Sequence, residues 1–199
     1  MRYALVIIIL ASSFSAISYL FWLNELKYRL PTPMPAEYRK VAEGTTIDVQ
    51  TDLKIAGNKP VLIHFFNPEC PCSRFNLKHV KSLIKQYSDV VSFAVVVVNE
   101  DKDYTEEEIK DRFGLDLPIS FNSALAEKCG VYSTPQAVIL NENRELYYRG
   151  NYNKSRYCTD KASNYAQMAL DSLLESNYDV EFSPYALKAY GCELPFCKK

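Results

Sequence analysis

The sequence predicts an α/β fold with a mixed central sheet, and three patterns along the chain support this. Val61–Phe66 and Val90–Val98 are runs of apolar residues, the second almost entirely β-branched, which is typical of strands covered on both faces. Between them, the apolar residues of Ser73–Tyr87 recur at helical spacing, so strand, helix and strand form one right-handed βαβ unit. Further on, Gln136–Leu140 and Glu145–Arg149 are predicted as two antiparallel strands joined by a short turn.

Length and composition fit one globular domain with appendages. The chain has 199 residues, of which 48% are hydrophobic and 24% charged, enough for a sizeable core. Its net charge of −1 excludes nucleic-acid binding by bulk electrostatic attraction. Six cysteines in a chain of this size indicate an oxidising compartment, or else redox or metal chemistry.

The first segment, residues 1–24, is predicted to be a membrane anchor. Ala4–Leu23 is uncharged, largely apolar and long enough to cross a bilayer as a helix. A cleavable signal peptide is the alternative, but apolar residues continue past the best small-residue cleavage site, Ser13–Ala16, which favours an uncleaved anchor. Basic residues flank the segment on both sides and leave its orientation open, whereas the cysteines favour an exported domain.

Three further segments follow the anchor. Residues 25–58 contain three closely spaced prolines and little periodicity, so they are predicted as a tether and approach segment, with a short edge strand within Ile47–Ile55. Residues 59–178 form the predicted domain. Residues 179–199 are too short for a domain of their own, and because this tail carries two cysteines we expect a disulfide to fasten it.

Capping residues and glycines mark the remaining helices. A capping box at Thr105 and Glu108 opens a short helix that Gly114 closes. Two more helices are predicted from the same signals, one from Asn122 or Ser123 to Gly130 and the last from Thr159 or Asp160 onwards.

Cys70 and Cys72 lie where the first predicted strand gives way to a helix N-terminus. Backbone N–H groups and the helix dipole favour negative charge there, so a thiol at this point ionises at a lower pH than a free thiol. Cys70 is expected to be exposed at the turn, whereas Cys72 is expected in or near the first helical turn and more covered. The pattern therefore predicts that Cys70 is the attacking thiol. A packed or disulfide-bonded pair without turnover is the alternative.

Two stretches of the sequence resemble the thioredoxin-like superfamily. Phe65–Cys70 is similar to the strand end and loop before that family's first active-site cysteine, and Ser133-Thr134-Pro135 resembles its cis-proline loop. With the N-terminal apolar segment, the chain is similar to membrane-tethered bacterial thiol-disulfide oxidoreductases of the TlpA/ResA kind, over the region Lys59–Asn177. The motif Cys70-Pro71-Cys72 departs from the family's C-x-x-C.

The resemblance implies a fold, an activity and partners. The fold would be a thioredoxin-like three-layer α/β structure with a central mixed sheet, preceded by a transmembrane helix. The activity would be thiol-disulfide exchange with client protein thiols and disulfides and with a redox partner protein, without a diffusible cofactor. The protein would be a single-pass protein of the bacterial inner membrane, held by Ala4–Leu23, with its catalytic domain facing the periplasm or the cell exterior. Whether it oxidises or reduces its clients stays open.

The resemblance also implies roles for individual residues. Cys70 aligns with the nucleophile, and Cys72 is either the resolving cysteine of a shortened loop or a replacement for an interior residue. His64 falls where the family has a buried acidic residue, so it would either relay the proton of a second thiol or be a core histidine bonded to a backbone carbonyl. Pro135 would be cis and would place the backbone of Thr134 beside the active-site sulfurs, where it can pair with an extended client.

Four further cysteines lie outside the Cys70-Pro71-Cys72 motif. Cys129 is predicted to be a small buried hydrophobe. Cys158 precedes the predicted cap of the last helix, and the helix dipole is expected to lower its pKa. Cys158, Cys192 and Cys197 are candidates for a structural disulfide or for a resolving thiol, and their pairing stays open.

A metal-handling protein is the alternative function. Cys70, Cys72 and a histidine would hold Cu(I), an ion for which soft thiolates are selective. Copper-delivering relatives in this superfamily have a longer cysteine spacing and a distant histidine after the central strands, whereas His64 and His79 both lie close to the motif. His79 is expected to be simply exposed on the helix. Thiol-disulfide exchange is therefore the favoured function, and it requires no metal.

Overall fold

A five-stranded mixed sheet forms the centre of the computed structural model, which describes residues 2–55, 57–99, 102–176 and 180–194. The strands are β1 (Val61–Phe66), β2 (Ser92–Val97), β3 (Ile119–Ser120), β4 (Ser133–Thr134), β5 (Gln136–Leu140), β6 (Leu146–Gly150) and β7 (Cys192–Glu193). The order in the main sheet is β3-β2-β1-β5-β6. β1, β2 and β3 run parallel, whereas β5 is antiparallel to both β1 and β6.

The described residues form seven α-helices, and all but the first pack against the two faces of this sheet. They are α1 (Arg2–Asn24), α2 (Gln50–Leu53), α3 (Pro71–Tyr87), α4 (Glu106–Phe113), α5 (Ala124–Lys128), α6 (Tyr165–Leu174) and α7 (Pro184–Leu187). The capping box predicted for α4 is present, because the Thr105 side chain accepts from the Glu108 N–H while the Glu108 carboxylate accepts from the Thr105 N–H. Gly114 ends this helix in the left-handed conformation that glycine adopts without strain.

The core has two halves, one on each face of the sheet. All six residues of β1 are buried. Leu62 and Phe66 belong to the apolar cluster that contains residues of α3, α4 and α6, whereas Ile63 and Phe65 belong to the cluster with residues of α2 and α5. Because neither face of β1 meets water, the strand is apolar along its whole length, as the sequence pattern predicts. The three-layer α/β architecture with a mixed sheet is confirmed.

The predicted edge strand within Ile47–Ile55 is wrong. A single β-bridge joins Thr46 to Glu145, and the chain then turns into α2. Val49 and Leu53 are both buried, and because they lie four residues apart a helical turn places both on the same face. In a β-strand these two residues would also lie on one face. The residue midway between them would lie on that face too, and the core does not cover it.

The start of the last helix also differs from the prediction. Asp160 caps a separate 3-10 turn, Lys161–Ser163, by accepting from the Ala162 N–H, and α6 begins only at Tyr165. The two-residue strand β3 has no counterpart in the predictions, because a strand this short carries no periodicity.

α1 stands apart from the packed domain. It has 23 residues, none of them buried, and a mean hydropathy of 2.2 over its most apolar stretch. Among the described residues, α1 is the one helix that is long enough and apolar enough to cross a membrane. The apolar side chains of α1 are not buried by other described residues, and a lipid bilayer would cover them.

The tail packs back onto the domain. Ala186, Ala189 and Leu194 are fully buried, and β7 pairs antiparallel with β4. Cys197 lies outside the described residues, so the expectation that it forms a disulfide stays a prediction.

Candidate functional site

The candidate site is built on the turn between β1 and α3. Cys70 is the N-cap residue of α3, in an extended conformation with φ −79° and ψ 120°, and Pro71 occupies the start of the helix, where a missing N–H costs nothing. The Asn67 side-chain oxygen accepts from the Glu69 N–H at 2.9 Å and fixes the loop in between. The first cysteine thus lies at the helix N-terminus and the second, Cys72, in the first helical turn.

Three cysteine sulfurs meet at this turn. A disulfide joins Cys70 to Cys192 of the tail, with 6.1 Å between their Cα atoms and 122 residues between them in the sequence. The Cys72 sulfur lies within 4.8 Å of both. A disulfide at Cys192 or Cys197 is predicted from the sequence, and in the structure Cys192 forms it with Cys70.

The disulfide changes the expected exposure of the pair. Cys70 and Cys72 are both only 2% exposed, so the expectation that Cys70 is the open member of the pair is wrong for this oxidised form. The Cys70 sulfur is bonded to the tail and lies 3.5 Å from the Thr134 carbonyl oxygen. The strand β7 therefore covers the atom that would otherwise face solvent at the turn.

The loop before β5 completes the site. The peptide bond between Thr134 and Pro135 is cis, as the resemblance implies. β4 turns away from the main sheet here and pairs with the tail, Thr134 opposite Cys192 and Ser133 opposite Glu193. The backbone edge expected to receive an extended client is thus occupied by a strand of the chain itself.

His64 lies in the core behind the cysteines. It is 1% exposed, and its Nδ1 shares a hydrogen bond of 2.9 Å with the Tyr152 hydroxyl, in place of the backbone carbonyl considered from the sequence. Its Nε2 has no hydrogen-bond partner among the described residues. Burial lowers the pKa of His64 to about 3, so the ring is neutral near pH 7. A neutral imidazole is the form able to accept a proton, and the relay role stays a prediction.

Tyr152 connects His64 to the cysteines. It lines a small cavity of about 40 Å³ together with Cys72, Pro135 and Cys158. The second histidine, His79, is half-buried with its Nε2 covered, so the expectation that it is simply exposed is wrong. Its ring lies 6.0 Å from that of Tyr152, and burial lowers its pKa.

The two remaining described cysteines are poor nucleophiles. The expected lowering of the Cys158 pKa is wrong, because α6 begins seven positions later and burial instead raises the pKa of this thiol to about 12. Cys158 donates a hydrogen bond of 2.9 Å to the Asn76 side-chain oxygen. Cys129 is fully buried, and burial raises its pKa to about 12 as well, in keeping with the predicted small hydrophobe.

Arg156 is a residue of this region that sequence reasoning missed. Its guanidinium forms an ion pair of 2.8 Å with Glu25 and lies over the rings of Tyr28, Phe75 and Tyr157. Burial opposes its charge, but the Tyr157 hydroxyl and the negative charges of Glu25 and Cys72 raise its pKa overall. The cation therefore interacts favourably with a thiolate at Cys72. No local pattern marks this arginine, since it lies in a loop 84 positions from Cys72.

Comparison with known proteins finds a matching family model and a similar thiol-disulfide oxidoreductase. A family model described as Domain of unknown function (DUF6436) matches residues 39–199, a range that includes the tail. The thiol-disulfide oxidoreductase ResA of Halalkalibacterium halodurans is 24% identical over 106 residues, which are 52% of this chain and 58% of ResA. The chain thus spans less than two thirds of that relative.

Solved structures show the same fold. A hypothetical protein of Sinorhizobium meliloti 1021 superposes with a TM-score of 0.62 at 17% identity, covering 78% of this chain and 95% of that one. A thioredoxin-like protein in its oxidised form superposes with a TM-score of 0.50 at 18% identity, covering 73% of this chain and 97% of that one. The predicted thioredoxin-like fold and the similarity to ResA-type oxidoreductases are confirmed.

Proposed function

Because the chain belongs to the DUF6436 family and has a thioredoxin-like fold, we propose that it is a thiol-disulfide oxidoreductase whose nucleophile is Cys70. The observation that carries this proposal is the position of Cys70. It is the N-cap of a 17-residue helix, it forms a disulfide with a second cysteine, and its sulfur lies beside the backbone that precedes a cis-proline. A thiol at a helix N-terminus is suited to attack a disulfide. The backbone edge before the cis-proline is suited to hold an extended client.

The reaction needs only the protein's own thiols. In the reduced protein, the Cys70 thiolate attacks one sulfur of a client disulfide and forms a mixed disulfide, while the other client sulfur leaves as a thiolate. A second thiol of the protein then attacks Cys70 and releases the first client sulfur. The client gains two electrons and the protein ends with a disulfide. The reverse sequence oxidises a client dithiol, and both directions use the same residues.

The proposed location is the outer side of the cytoplasmic membrane. α1 would remain as a single-pass anchor, and the division into anchor, tether, domain and tail, residues 1–24, 25–58, 59–178 and 179–199, remains part of this proposal. The disulfide at Cys70 supports an oxidising compartment, because cytosolic thiols are kept reduced. Clients would be proteins with disulfides or thiols in that compartment, and a redox partner would reset the active site.

Reduction of insulin disulfides with dithiothreitol as electron donor tests the proposal. The wild-type protein is expected to accelerate the reaction, and Cys70→Ser is expected to fall to the uncatalysed rate because the attacking thiol is removed. Cys129→Ala is the matched control, since Cys129 is fully buried in the core and burial raises the pKa of its thiol to about 12. A Cys70→Ser variant with full activity would refute the assignment.

Soft-metal binding is a second candidate, and the cluster of three sulfurs favours it. In the reduced protein, Cys70, Cys72 and Cys192 would offer three thiolates within 4.8 Å of one another, a set suited to Cu(I). This replaces the histidine considered from the sequence, because His64 is buried in the core and bonded to Tyr152. Anaerobic Cu(I) titration of the reduced protein, beside Cys192→Ser, separates the two functions. Copper that binds no more tightly to wild type than to the variant would exclude a three-sulfur site.

A further inference from the structure

We propose that the tail strand β7 resolves the reaction by replacing the client, with Cys192 as the thiol that releases it from Cys70. This rests on the proposed function and adds the identity of the second thiol and the way in which the product leaves. Strand replacement and thiol exchange would be one event, because the same two-residue strand carries both the sulfur and the backbone that pairs with the site.

The first argument is that tail and client need the same edge. β7 forms an antiparallel ladder with β4, with Cys192 opposite Thr134. An extended peptide adds to an exposed strand edge through its main-chain hydrogen bonds, and β4 has this edge beside the active-site sulfur. Two strands cannot occupy one edge together. A docked client therefore requires β7 to be displaced, and the return of β7 expels the client.

The second argument is that the tail and β4 fit each other closely. A Cβ added to Gly191 would lie 2.2 Å from the Thr134 carbonyl oxygen, so only glycine permits this approach of the two backbones. The Ser133 hydroxyl donates to the Cys192 carbonyl at 3.1 Å and shares a hydrogen bond of 2.8 Å with Thr32. The side chain of Leu194 is fully buried just beyond the strand. These contacts position the Cys192 sulfur for bonding to Cys70.

The third argument concerns the segment before the strand, which stays anchored independently. The Asn151 side chain donates to the carbonyls of Tyr185 and Lys188 at 2.7 and 2.6 Å, and its backbone N–H donates to Ala186 at 2.8 Å. None of these contacts involves the cysteines. Only the few residues from Gly191 onwards need to move, so the resolving thiol would remain at high effective concentration near Cys70.

The exchange balances with the groups already present. The Cys192 thiolate attacks the Cys70 sulfur of the mixed disulfide, the bond between Cys70 and Cys192 forms, and the client sulfur leaves as a thiolate that takes up a proton from water. No external oxidant enters this step. Its product is the disulfide that the structure contains.

A single-turnover experiment separates the steps. Reduced full-length protein in detergent is mixed with a synthetic extended peptide whose one cysteine is in a mixed disulfide with thionitrobenzoate. Absorbance of released thionitrobenzoate reports attack by Cys70, and mass spectrometry reports peptide bound to Cys70 and its later release. Wild type is expected to release both. Cys192→Ser is expected to attack normally but to release the peptide about a hundredfold more slowly.

Gly191→Ala tests the strand replacement, because it keeps every thiol but places a methyl group against Thr134. We expect attack at the wild-type rate and peptide release slowed about tenfold. Leu187→Ala is the matched control, since its side chain is exposed on α7 and it takes no part in the pairing of β7 with β4.

The outcomes distinguish the proposals. Normal peptide release by Cys192→Ser, with trapping in Cys72→Ser, would overturn the assignment of Cys192. Normal release by Gly191→Ala would overturn strand replacement while leaving Cys192 as the resolving thiol. Absence of thionitrobenzoate release from wild type would instead refute the proposed function, and the inference would fall with it.

Discussion

The immediate surroundings of the Cys70 and Cys158 sulfurs give these two residues different chemistry. Cys70 caps a helix and is bonded to a second cysteine, whereas Cys158 precedes a 3-10 turn and lies in a covered position where burial raises its pKa to about 12. Their sequence surroundings are alike, since each stands before a predicted helix. Sequence reasoning therefore places Cys70 correctly at a helix N-terminus and misjudges Cys158, because burial depends on which segments pack over a residue.

His64 leads to a prediction for stability in acid. The pKa of its ring is about 3 in the folded protein and about 6.5 when unfolded, so between these values the unfolded chain binds a proton that the folded chain does not. Stability is then lost as the pH falls below about 6.5. From pH 7 to pH 5 this residue should remove about 2 kcal/mol from the free energy of unfolding.

Urea unfolding of wild type and His64→Gln at several pH values measures this contribution. Glutamine cannot take up the proton, so the wild type should lose stability more steeply than the variant. The contributions of His79 and of the carboxylates cancel in the difference. Parallel curves for the two proteins would show that the His64 ring is not held neutral by burial.

Among the elements, those with a strong internal pattern follow the sequence. β1, α3 and the β5–β6 hairpin lie within one or two residues of their predicted bounds, because apolar spacing alone specifies them. β7 could not be predicted, since two residues become a strand only through pairing with β4, 59 positions earlier in the chain. The occupied edge of β4 and the disulfide partner of Cys70 depend on that same long-range contact, which is why the sequence does not determine the pairing.

Helix capping gives a prediction at this scale. Thr105 accepts a hydrogen bond from the Glu108 N–H at 3.1 Å as N-cap of α4, whereas Ser123 at the N-cap of α5 forms no side-chain cap bond. Thr105→Ala should therefore lower the free energy of unfolding by about 1 kcal/mol, with Ser123→Ala near zero as its control. Both are measured by urea unfolding. An equal loss in the two variants would mean that the capping box does not stabilise α4.

At the scale of the whole molecule, α1 and the thioredoxin-like domain are joined without a shared core. No residue of α1 is buried, and an ion pair of 2.8 Å joins Glu25, the residue after this helix, to Arg156 of the domain. Next to this ion pair lies a cleft of about 450 Å³, lined by Tyr28, Arg29, Lys154, Tyr185 and Tyr190 among others. The cleft is thus lined in part by residues of the segment that directly follows α1.

The fate of α1 in cells is the prediction at this scale. Because the apolar stretch continues past the small-residue cleavage site, the mature protein should retain Met1 and stay in the membrane fraction after alkaline extraction. N-terminal sequencing and carbonate extraction of the expressed protein measure this. A soluble product that begins near Ile17 would identify the segment as a cleaved signal peptide.

The 122-residue separation between Cys70 and Cys192 ties electron transfer to the thermodynamics of folding. A cross-link that closes a loop of this size restricts the unfolded chain and stabilises the folded one by about 4–5 kcal/mol in the chain-entropy description. Reduction and unfolding of the protein form a closed thermodynamic cycle. The same free energy must therefore contribute to the reduction potential of the disulfide. A substitution that loosens the docked tail should therefore raise the reduction potential. The reduced protein should also unfold at a lower temperature than the oxidised protein.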